Sequence, residues 1–451
     1  MWNITENKSI LVVGAGRVSI AIIDYFLKCP KLTVTVASPL QSELDALKNK
    51  LQNGNFKCVL MSLDQRELAM DLLKANDLIV GCVPVNLNHK LLELCLESRK
   101  NLVLPSYCSD VIKSYEQAII DAGIVVIMEL GVCPGIDHAL TCSGIEKLRK
   151  NGYRIESYIA WVGGLPALEF ADNPLKYKIS WSPEGVLQAL VREPMFKRNG
   201  EIVNLGKGGT FKGLERSFPF FQEYPLEGYP NYDSIKYLKL YDIEEAHTCF
   251  RGSLRYKGYM DVAKCLYDLG LLSTEKLDYL DRDTSPISWI EIWSKILSCE
   301  GDLTQVKRSL IDKLQLSNIQ IENLEKLGLL NTERNVIKNG TLLSALAEQL
   351  NKNCSFGKGE FDLMLMRIEL TGLKEDGSKK TVNIELKLNG KPEMSAMAKT
   401  TGGTLAIGAR ILLENEYSFK SGLHLPMSKE IYDKMLEMLK AEGIEANVIE
   451  F

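Results

Sequence analysis

The first place where this sequence offers chemistry is a glycine turn near its start. Residues 10–13 are apolar, Gly14-Ala15-Gly16 breaks the run, and apolar residues resume at Val18, Ala21, Ile22, Tyr25 and Phe26, which is helical spacing. A strand, a glycine turn and a helix in that order bring backbone N–H groups and a helix N-terminus against a pyrophosphate, with glycine supplying the tight geometry and the close approach. The third glycine of the usual dinucleotide fingerprint is Ser19 here, so the turn taken alone fits an ordinary βα connection equally well. Four further groups carry usable chemistry. Tyr107, in Pro105-Ser106-Tyr107, offers a phenol beside a hydroxyl for binding substrate or relaying a proton, or is simply a loop aromatic. Glu129, Asp137 and His138 bracket Cys133-Pro134-Gly135; a carboxylate with an imidazole suits acid/base work, and Asp137 suits a helix N-cap at least as well. Arg251 and Arg255, in FRGSLRY, suit a bidentate grip on a carboxylate or ion pairing at the surface. Cys133 is a reactive thiol or an inert one.

Positioning these residues falls to an alternating pattern. β-rich runs at 32–37, 57–61, 78–83, 102–104 and 124–128 alternate with helical spacing at 65–75, 87–98 and 110–122. Strands and helices in regular alternation predict a Rossmann-type doubly wound parallel sheet over residues 1–135. Ligands of such a sheet lie beyond the carboxyl ends of its strands, which singles out loops 37–40, 83–86, 105–108 and 129–138. Past Gly135 the rhythm changes, and an α+β domain is expected from residues 136–258 and 355–451, with strands 361–370 and 381–388 joined by a hairpin signal at Asp376-Gly377. Residues 259–352 are helical throughout and predict an inserted helical subdomain, a lid or a spacer. The helices 395–413 and 429–441 fit against either domain. No repeat, low-complexity tract or Pro/Ser linker separates the parts, so the domains are expected to interleave.

Composition narrows the field. A chain of 451 residues with 45% apolar and 25% charged side chains is a globular protein of two or three domains. A net charge of −4 argues against nucleic acid or an anionic membrane as the main partner, since both need a concentrated basic face. The apolar runs fall short of the roughly 18 residues of a spanning helix, and MWNITENKS has neither a basic n-region nor an Arg-rich transit pattern. A cytoplasmic protein is the expectation. Eleven cysteines without a CxxC pair favour reduced thiols over a disulfide frame or zinc cluster, and four scattered histidines add no metal site.

Taken together, GAGRVS, ELGVCPGIDH, GGLPALEFADNPLKYKISWSPEGV, EGYPNYDSIKYLKLY, RGSLRYKGY and SAMAKTTG resemble, in order and over nearly the whole chain, the glutamate-forming saccharopine dehydrogenases. The resemblance implies a Rossmann domain, a substrate and dimerisation domain and an inserted helical domain. It also implies a homodimer, a small amino-acid substrate, and NAD- or NADP-linked interconversion of saccharopine with glutamate and aminoadipate semialdehyde in lysine metabolism. By the same resemblance the cofactor contacts are Gly14, Ala15, Gly16, Arg17, Val18, Ser38, Pro39, Leu40, Asp64, Gln65, Val83, Pro105, Ser106, Val132, Cys133, Pro134 and Ser182. The substrate contacts are Ser106, Tyr107, Ser253, Leu254 and Arg255, with Tyr107 the candidate for positioning or proton transfer.

Two positions depart from the family pattern. Leu-Asp-Pro-Gly is Val132-Cys133-Pro134-Gly135 here, and Asn-Arg-Asp-Ser is Asn231-Tyr232-Asp233-Ser234. In the family that aspartate and arginine hold the substrate's amino and carboxylate groups, so Cys133 and Tyr232 stand where two charges are expected. The departures leave open an opine-type dehydrogenase of a less charged N-substituted amino acid, or a catalytically silent dinucleotide-binding homologue. At the end of the second strand, NAD sites usually place an acid and NADP sites an arginine. Ser38-Pro39-Leu40 has neither. With no carboxylate in that run to repel a 2′-phosphate, and Arg17 in the glycine turn, the expectation tilts slightly to NADP.

Overall fold

The computed structural model describes residues 2–52, 54–414 and 419–451. Its first apolar run is β1 (Lys8–Val13), in which Ile10, Leu11 and Val12 are fully buried. A strand covered on both faces has no polar side, which is why it reads as continuous apolar sequence. β1 pairs in parallel with β2 (Leu32–Ser38) on one side and β4 (Leu78–Gly81) on the other. β3 (Phe56–Leu60), β5 (Asn101–Val103) and β6 (Val125–Ile127) extend the same sheet, again in parallel. The order 6-5-4-1-2-3 is the doubly wound arrangement, with its switch point between β1 and β4.

The chain divides into two compact units, Met1–Tyr158 with Met366–Phe451, and Ile159–Leu365. In the first unit a short strand, Gly422–His424, adds to β6 in parallel as a seventh strand. Three residues with a glycine at their head carry no β signal, so only the pairing reveals this strand. The expected helix 110–122 is two pieces, Asp110–Lys113 and Glu116–Ala122. The expected helix 395–413 contains a wider turn at Ala398–Gly402 before its regular part, Gly403–Glu414. That turn lies on helix α1 (Ser19–Leu27): a Cβ on Gly402 would sit 2.4 Å from the Val18 carbonyl oxygen and 3.0 Å from Ala21 Cβ.

The second unit holds a strand hairpin, Met195–Arg198 with Glu201–Asn204, and the antiparallel pair Leu226–Pro230 and Thr248–Tyr256. The helical residues of 259–352 do not make a core of their own. Trp289, Trp293, Leu310, Leu324 and Leu346 share one apolar cluster with Leu175, Tyr177, Leu187 and Tyr229. Both indoles are buried and both N–H groups are satisfied, Trp289 donating to Gln349 Oε1 at 2.9 Å and Trp293 to the Leu329 carbonyl at 2.7 Å.

The Gly402 contact gives a stability test. Gly402→Ala must push a methyl group into the backbone of Val18, an overpacking cost of about 1–3 kcal/mol against a helix-propensity gain of about 1 kcal/mol. A net loss is expected, read as a lower urea midpoint at unchanged m.

Candidate functional site

Because the seven strands of the first sheet run parallel, the loops that follow them emerge on one edge. That edge collects Gly14–Val18 after β1, Ser38–Leu40 after β2, Asp64 and Gln65 after β3, Val83 after β4, Pro105–Tyr107 after β5 and Val132–Pro134 after β6. Gly14 has φ +110, donates its N–H to the Ala37 carbonyl at 2.7 Å, and would place a Cβ 2.4 Å from the Cys82 carbonyl oxygen. No residue with a side chain fits there. At Gly16 the opposite holds: nothing lies within 4 Å of a Cβ, so the space above the turn is open. Ser19, in the place of the third glycine, is buried and donates its hydroxyl to the Gly14 carbonyl at 2.8 Å, tying the turn closed. No side chain caps α1 and no acid stands in its first turn. A tight glycine, an open glycine and an uncapped helix N-terminus fit a pyrophosphate. Beside them the Cys82 thiol is pushed up to about 12 by burial, against a smaller opposing pull from Ser19, so it stays protonated.

At the end of β2 the run Ser38-Pro39-Leu40 has no charged side chain of its own, and the helix that follows brings a carboxylate to Ser38. Ser38 is buried and donates its hydroxyl to Glu43 Oε2 at 2.7 Å, while its oxygen accepts the Leu40 N–H at 3.3 Å. Glu43 lies in the first turn of helix α2 (Gln41–Lys50). Its only sequence signal was an acid in the first turn after the second strand. Pro39 and Leu40 are exposed. On the next loop Asp64 is ion-paired with Lys90, which holds its carboxyl below the usual range, and Gln65 accepts the Ser62 N–H at 2.9 Å.

The loop after β6 is a tight knot. Cys133-Pro134 is a cis peptide, and Gly135 has φ +142, where a Cβ would lie 2.0 Å from the Gly131 carbonyl oxygen. Asp137 is buried in the first turn of the helix Ile136–Lys150, whose N-cap is Gly135 with no side-chain cap; its Oδ1 accepts N–H bonds from Gly135 at 2.7 Å and His138 at 2.9 Å, so the N-cap reading gives way to a first-turn acid tying two backbone donors. Glu129, also buried, accepts the Cys108 N–H at 2.9 Å and lies 2.6 Å from His138 Nε2. Burial would raise the Glu129 carboxyl, but the His138 hydrogen bond and charge, with the Cys108 N–H, outweigh it and hold the group below its ordinary value. Tyr107 is half-buried, its hydroxyl 3.8 Å from the sulfur of Cys133. Burial and the neighbouring Glu129 charge push the Cys108 thiol up to about 11, and all eleven cysteines are free thiols.

In the second unit the surface-ion-pair reading of the two arginines fails, since Arg251 and Arg255 are only 5% and 6% exposed. Arg251 stacks over Tyr237 with 4.0 Å between guanidinium and ring centroid, and donates to its hydroxyl. Arg255 sits among Tyr177, Tyr259 and Tyr229 at 4.8, 5.2 and 5.5 Å from their ring centroids, and donates Nη1–H to the Leu254 carbonyl at 2.7 Å. Its Nε and the Tyr229 hydroxyl are buried without a hydrogen-bond partner. Glu227, opposite Arg255 in the strand register, spends its carboxylate on the Met260 N–H at 2.7 Å and on Arg216. Among the described residues no carboxylate pairs with Arg255. Tyr177 and Tyr229 are distant from FRGSLRY along the chain, and Tyr259, four residues after Arg255, carries no spacing signal of its own, so spacing did not single these phenols out. Ser253 is half-buried and Leu254 fully buried. Tyr232 is 50% exposed, with the Arg192 guanidinium 5.5 Å from its ring centroid. Ser182 caps the helix Pro183–Val191, accepting the Gly185 N–H at 3.1 Å.

The sheet order and the glycine turn define a Rossmann protein of the nicotinamide-dinucleotide class. Residues 10–127 match the family model described as the saccharopine dehydrogenase NADP binding domain, and residues 131–444 match the saccharopine dehydrogenase C-terminal domain. The chain belongs to the saccharopine dehydrogenase family. It is 37% identical over 441 residues to the mitochondrial alpha-aminoadipic semialdehyde synthase of Bos taurus, covering 97% of this chain and 47% of that protein. The chain thus spans about half the length of its mammalian relatives. It is 32% identical over 451 residues to the saccharopine dehydrogenase [NADP(+), L-glutamate-forming] of Pyricularia oryzae, covering 97% of this chain and 98% of that one. The apo saccharopine dehydrogenase (L-Glu forming) structure from Saccharomyces cerevisiae superposes with a TM-score of 0.84 at 28% identity, over 98% and 100% of the two chains. Among the described residues no helix is long and apolar enough to cross a membrane.

Two measurements test this geometry. Gly16→Ala adds a methyl group to open space, so the melting temperature of the free protein should hold or rise slightly. NADH and NADPH affinity should fall at least tenfold, about 1.4 kcal/mol, in a fluorescence titration. Native affinity in Gly16→Ala would remove the pyrophosphate from this turn. For Glu129, whose folded value is depressed, the stabilisation is present above its unfolded value of about 4.3 and is lost as pH falls through the folded value. Glu129→Gln should therefore melt lower than the native chain at pH 7, with the gap closing below about pH 4.

Proposed function

We propose that this chain catalyses the interconversion of saccharopine with glutamate and aminoadipate semialdehyde, linked to a nicotinamide dinucleotide, as a step of lysine metabolism. Its fungal relative, matched over 98% of that protein, is named saccharopine dehydrogenase [NADP(+), L-glutamate-forming]. The observation that carries the reading is Arg255. A guanidinium stays charged in the protein, and a buried charge with no partner is costly. An Arg255 whose Nε is unpaired, beside the unpaired Tyr229 hydroxyl, awaits an anion, and a substrate carboxylate supplies one.

In this reading Gly14, Ala15, Gly16, Arg17 and Val18 hold the pyrophosphate, and Ser38, Pro39, Leu40, Asp64 and Gln65 hold the adenosine end. Val83, Pro105, Ser106, Val132, Cys133, Pro134 and Ser182 complete the cofactor contacts. Bound there, the nicotinamide supplies or accepts the hydride at the carbon of the substrate's C–N bond. Oxidation leaves an imine that water opens to the amine and the aldehyde. Ser106, Tyr107, Ser253, Leu254 and Arg255 bind the substrate: Tyr107 offers its phenol to orient the reacting nitrogen or to move its proton, and Arg255 holds a carboxylate. Residues 1–135 serve the cofactor, 136–258 and 355–451 the substrate and a homodimer contact, and 259–352 act as lid or spacer. A cytoplasmic location completes the proposal.

Cys133 and Tyr232 favour a second reading, a related N-substituted amino acid of lower charge. A charge-assisted hydrogen bond to a buried carboxylate is worth roughly 1.5–3 kcal/mol, so losing two charged partners should weaken saccharopine by orders of magnitude. Measuring kcat/KM for saccharopine in the native chain and in Cys133→Asp/Tyr232→Arg decides between the two. Ordinary efficiency in the native chain, unimproved by the double substitution, supports saccharopine. A large gain in the double variant supports the less charged substrate, and dinucleotide binding without turnover of any opine-type amine would leave only a binding protein.

A further inference from the structure

We infer that Arg192, seated on the ring of Tyr232, holds a carboxylate of the amino-acid substrate, a conclusion that rests on the saccharopine reading of the site. Arg192 directly follows the helix Pro183–Val191, and its guanidinium lies 5.5 Å from the Tyr232 ring centroid. The arginine is half-buried and the tyrosine exposed, so solvent reaches both. Stacking on a ring occupies the face of a guanidinium and leaves the N–H groups at its edge, the fork that takes a carboxylate by two hydrogen bonds. Among the described residues neither this guanidinium nor the Tyr232 hydroxyl has a hydrogen-bond or ion-pair partner. The adjacent acids leave the charge standing: Asp233 Oδ1 takes the Ile235 N–H at 2.8 Å, and Glu193 is exposed and unpaired with Arg192.

The backbone under both side chains is tied down. The Arg192 carbonyl accepts the hydroxyl of the buried Thr210 at 3.3 Å. Three residues on, Met195 donates its N–H to the Tyr232 carbonyl at 3.2 Å and accepts the Ser234 N–H at 2.8 Å. Tyr232 in turn follows the strand Leu226–Pro230, whose antiparallel partner carries Ser253 and Arg255. Asn231 prolongs that pairing by donating to the Arg251 carbonyl at 2.8 Å, and it lies four residues past Glu227, the partner of Arg255, about 13 Å along the strand. Arg192 and Arg255 thus belong to separate positions on one ladder, suited to different carboxylates of one extended substrate. Two local roles exist as well, since a cation beyond a helix end complements its dipole and a guanidinium on a ring covers apolar surface. Those roles alter stability and are indifferent to which carboxylate a substrate carries.

The test is the initial rate of saccharopine oxidation by the full chain, native and with Arg192→Gln or Arg192→Lys. Arg192→Gln should raise KM for saccharopine roughly 10- to 100-fold and leave kcat within about threefold. Arg192→Lys keeps the charge without the planar fork and should fall between the two. NADPH affinity should hold in both variants, because the glycine turn belongs to the other unit. Saccharopine carries three carboxylates, so three monoamides can be compared; the KM penalty of Arg192→Gln should vanish for one of them and persist for the others. An unchanged KM, a loss carried by kcat alone, a lysine variant no better than the glutamine one, an equal penalty for all three monoamides, or a parallel fall in NADPH affinity would overturn the inference, while turnover of saccharopine by the native chain left the saccharopine reading standing. A native chain that binds dinucleotide and turns over no saccharopine overturns that reading, and this inference with it.

Discussion

Parallel pairing of β1 between β2 and β4 is the constraint from which the first unit follows. Parallel strands need crossover helices, the helices cover both faces, and the strands between them must then be apolar throughout. With every strand pointing the same way, six loops of unrelated sequence reach the same edge. The glycine at the end of β1 is forced twice over, by a positive φ and by the Cys82 carbonyl. What the turn leaves open, at Gly16 and at the head of α1, is space beside uncapped N–H groups and a helix dipole, an arrangement that fits a diphosphate.

The loop after β6 solves a different problem. A buried carboxylate is tolerated when its oxygens are hydrogen-bonded. Asp137 meets that condition by taking the Gly135 and His138 N–H groups, and Glu129 by taking the Cys108 N–H and facing His138. Both acids are thereby used in holding the shape of a loop that also carries Cys133 opposite Tyr107. The acid/base trio suggested by their spacing is thus a first-turn acid bonded to backbone N–H groups and a buried pair, with Ser106 and Tyr107 carrying hydroxyls on the loop after β5.

In the second unit the chain builds the reverse situation. Three phenols and a backbone carbonyl surround Arg255, and the carboxylate opposite it on the paired strand is committed elsewhere. Aromatic faces moderate the cost of a buried cation without neutralising it. Such a guanidinium is held in place by rings and a carbonyl without a carboxylate, at a distance in sequence from Cys133 and Tyr232.

Local pattern was enough for much of this. The β1–turn–α1 unit, the alternation that follows it, the hairpin at Asp376-Gly377 and the helix Lys429–Ala441 are legible because each depends on residues within a few positions of one another. The strand Gly422–His424 is not, since three residues with no β signal become a strand only where β6 offers an open edge. Nor is the wide turn at Ala398–Gly402, which is shaped to its contact with α1. The same division runs through the site. Spacing singled out Gly14, Tyr107 and Arg255, whereas the carboxylate beside Ser38 and the cage around Arg255 come from residues that the sequence separates by helix turns or by dozens of positions. Periodicity records which face of an element is buried; which charge stands beside which is decided by packing, because a Coulomb or hydrogen-bond partner is chosen by distance in space and leaves no period in the chain.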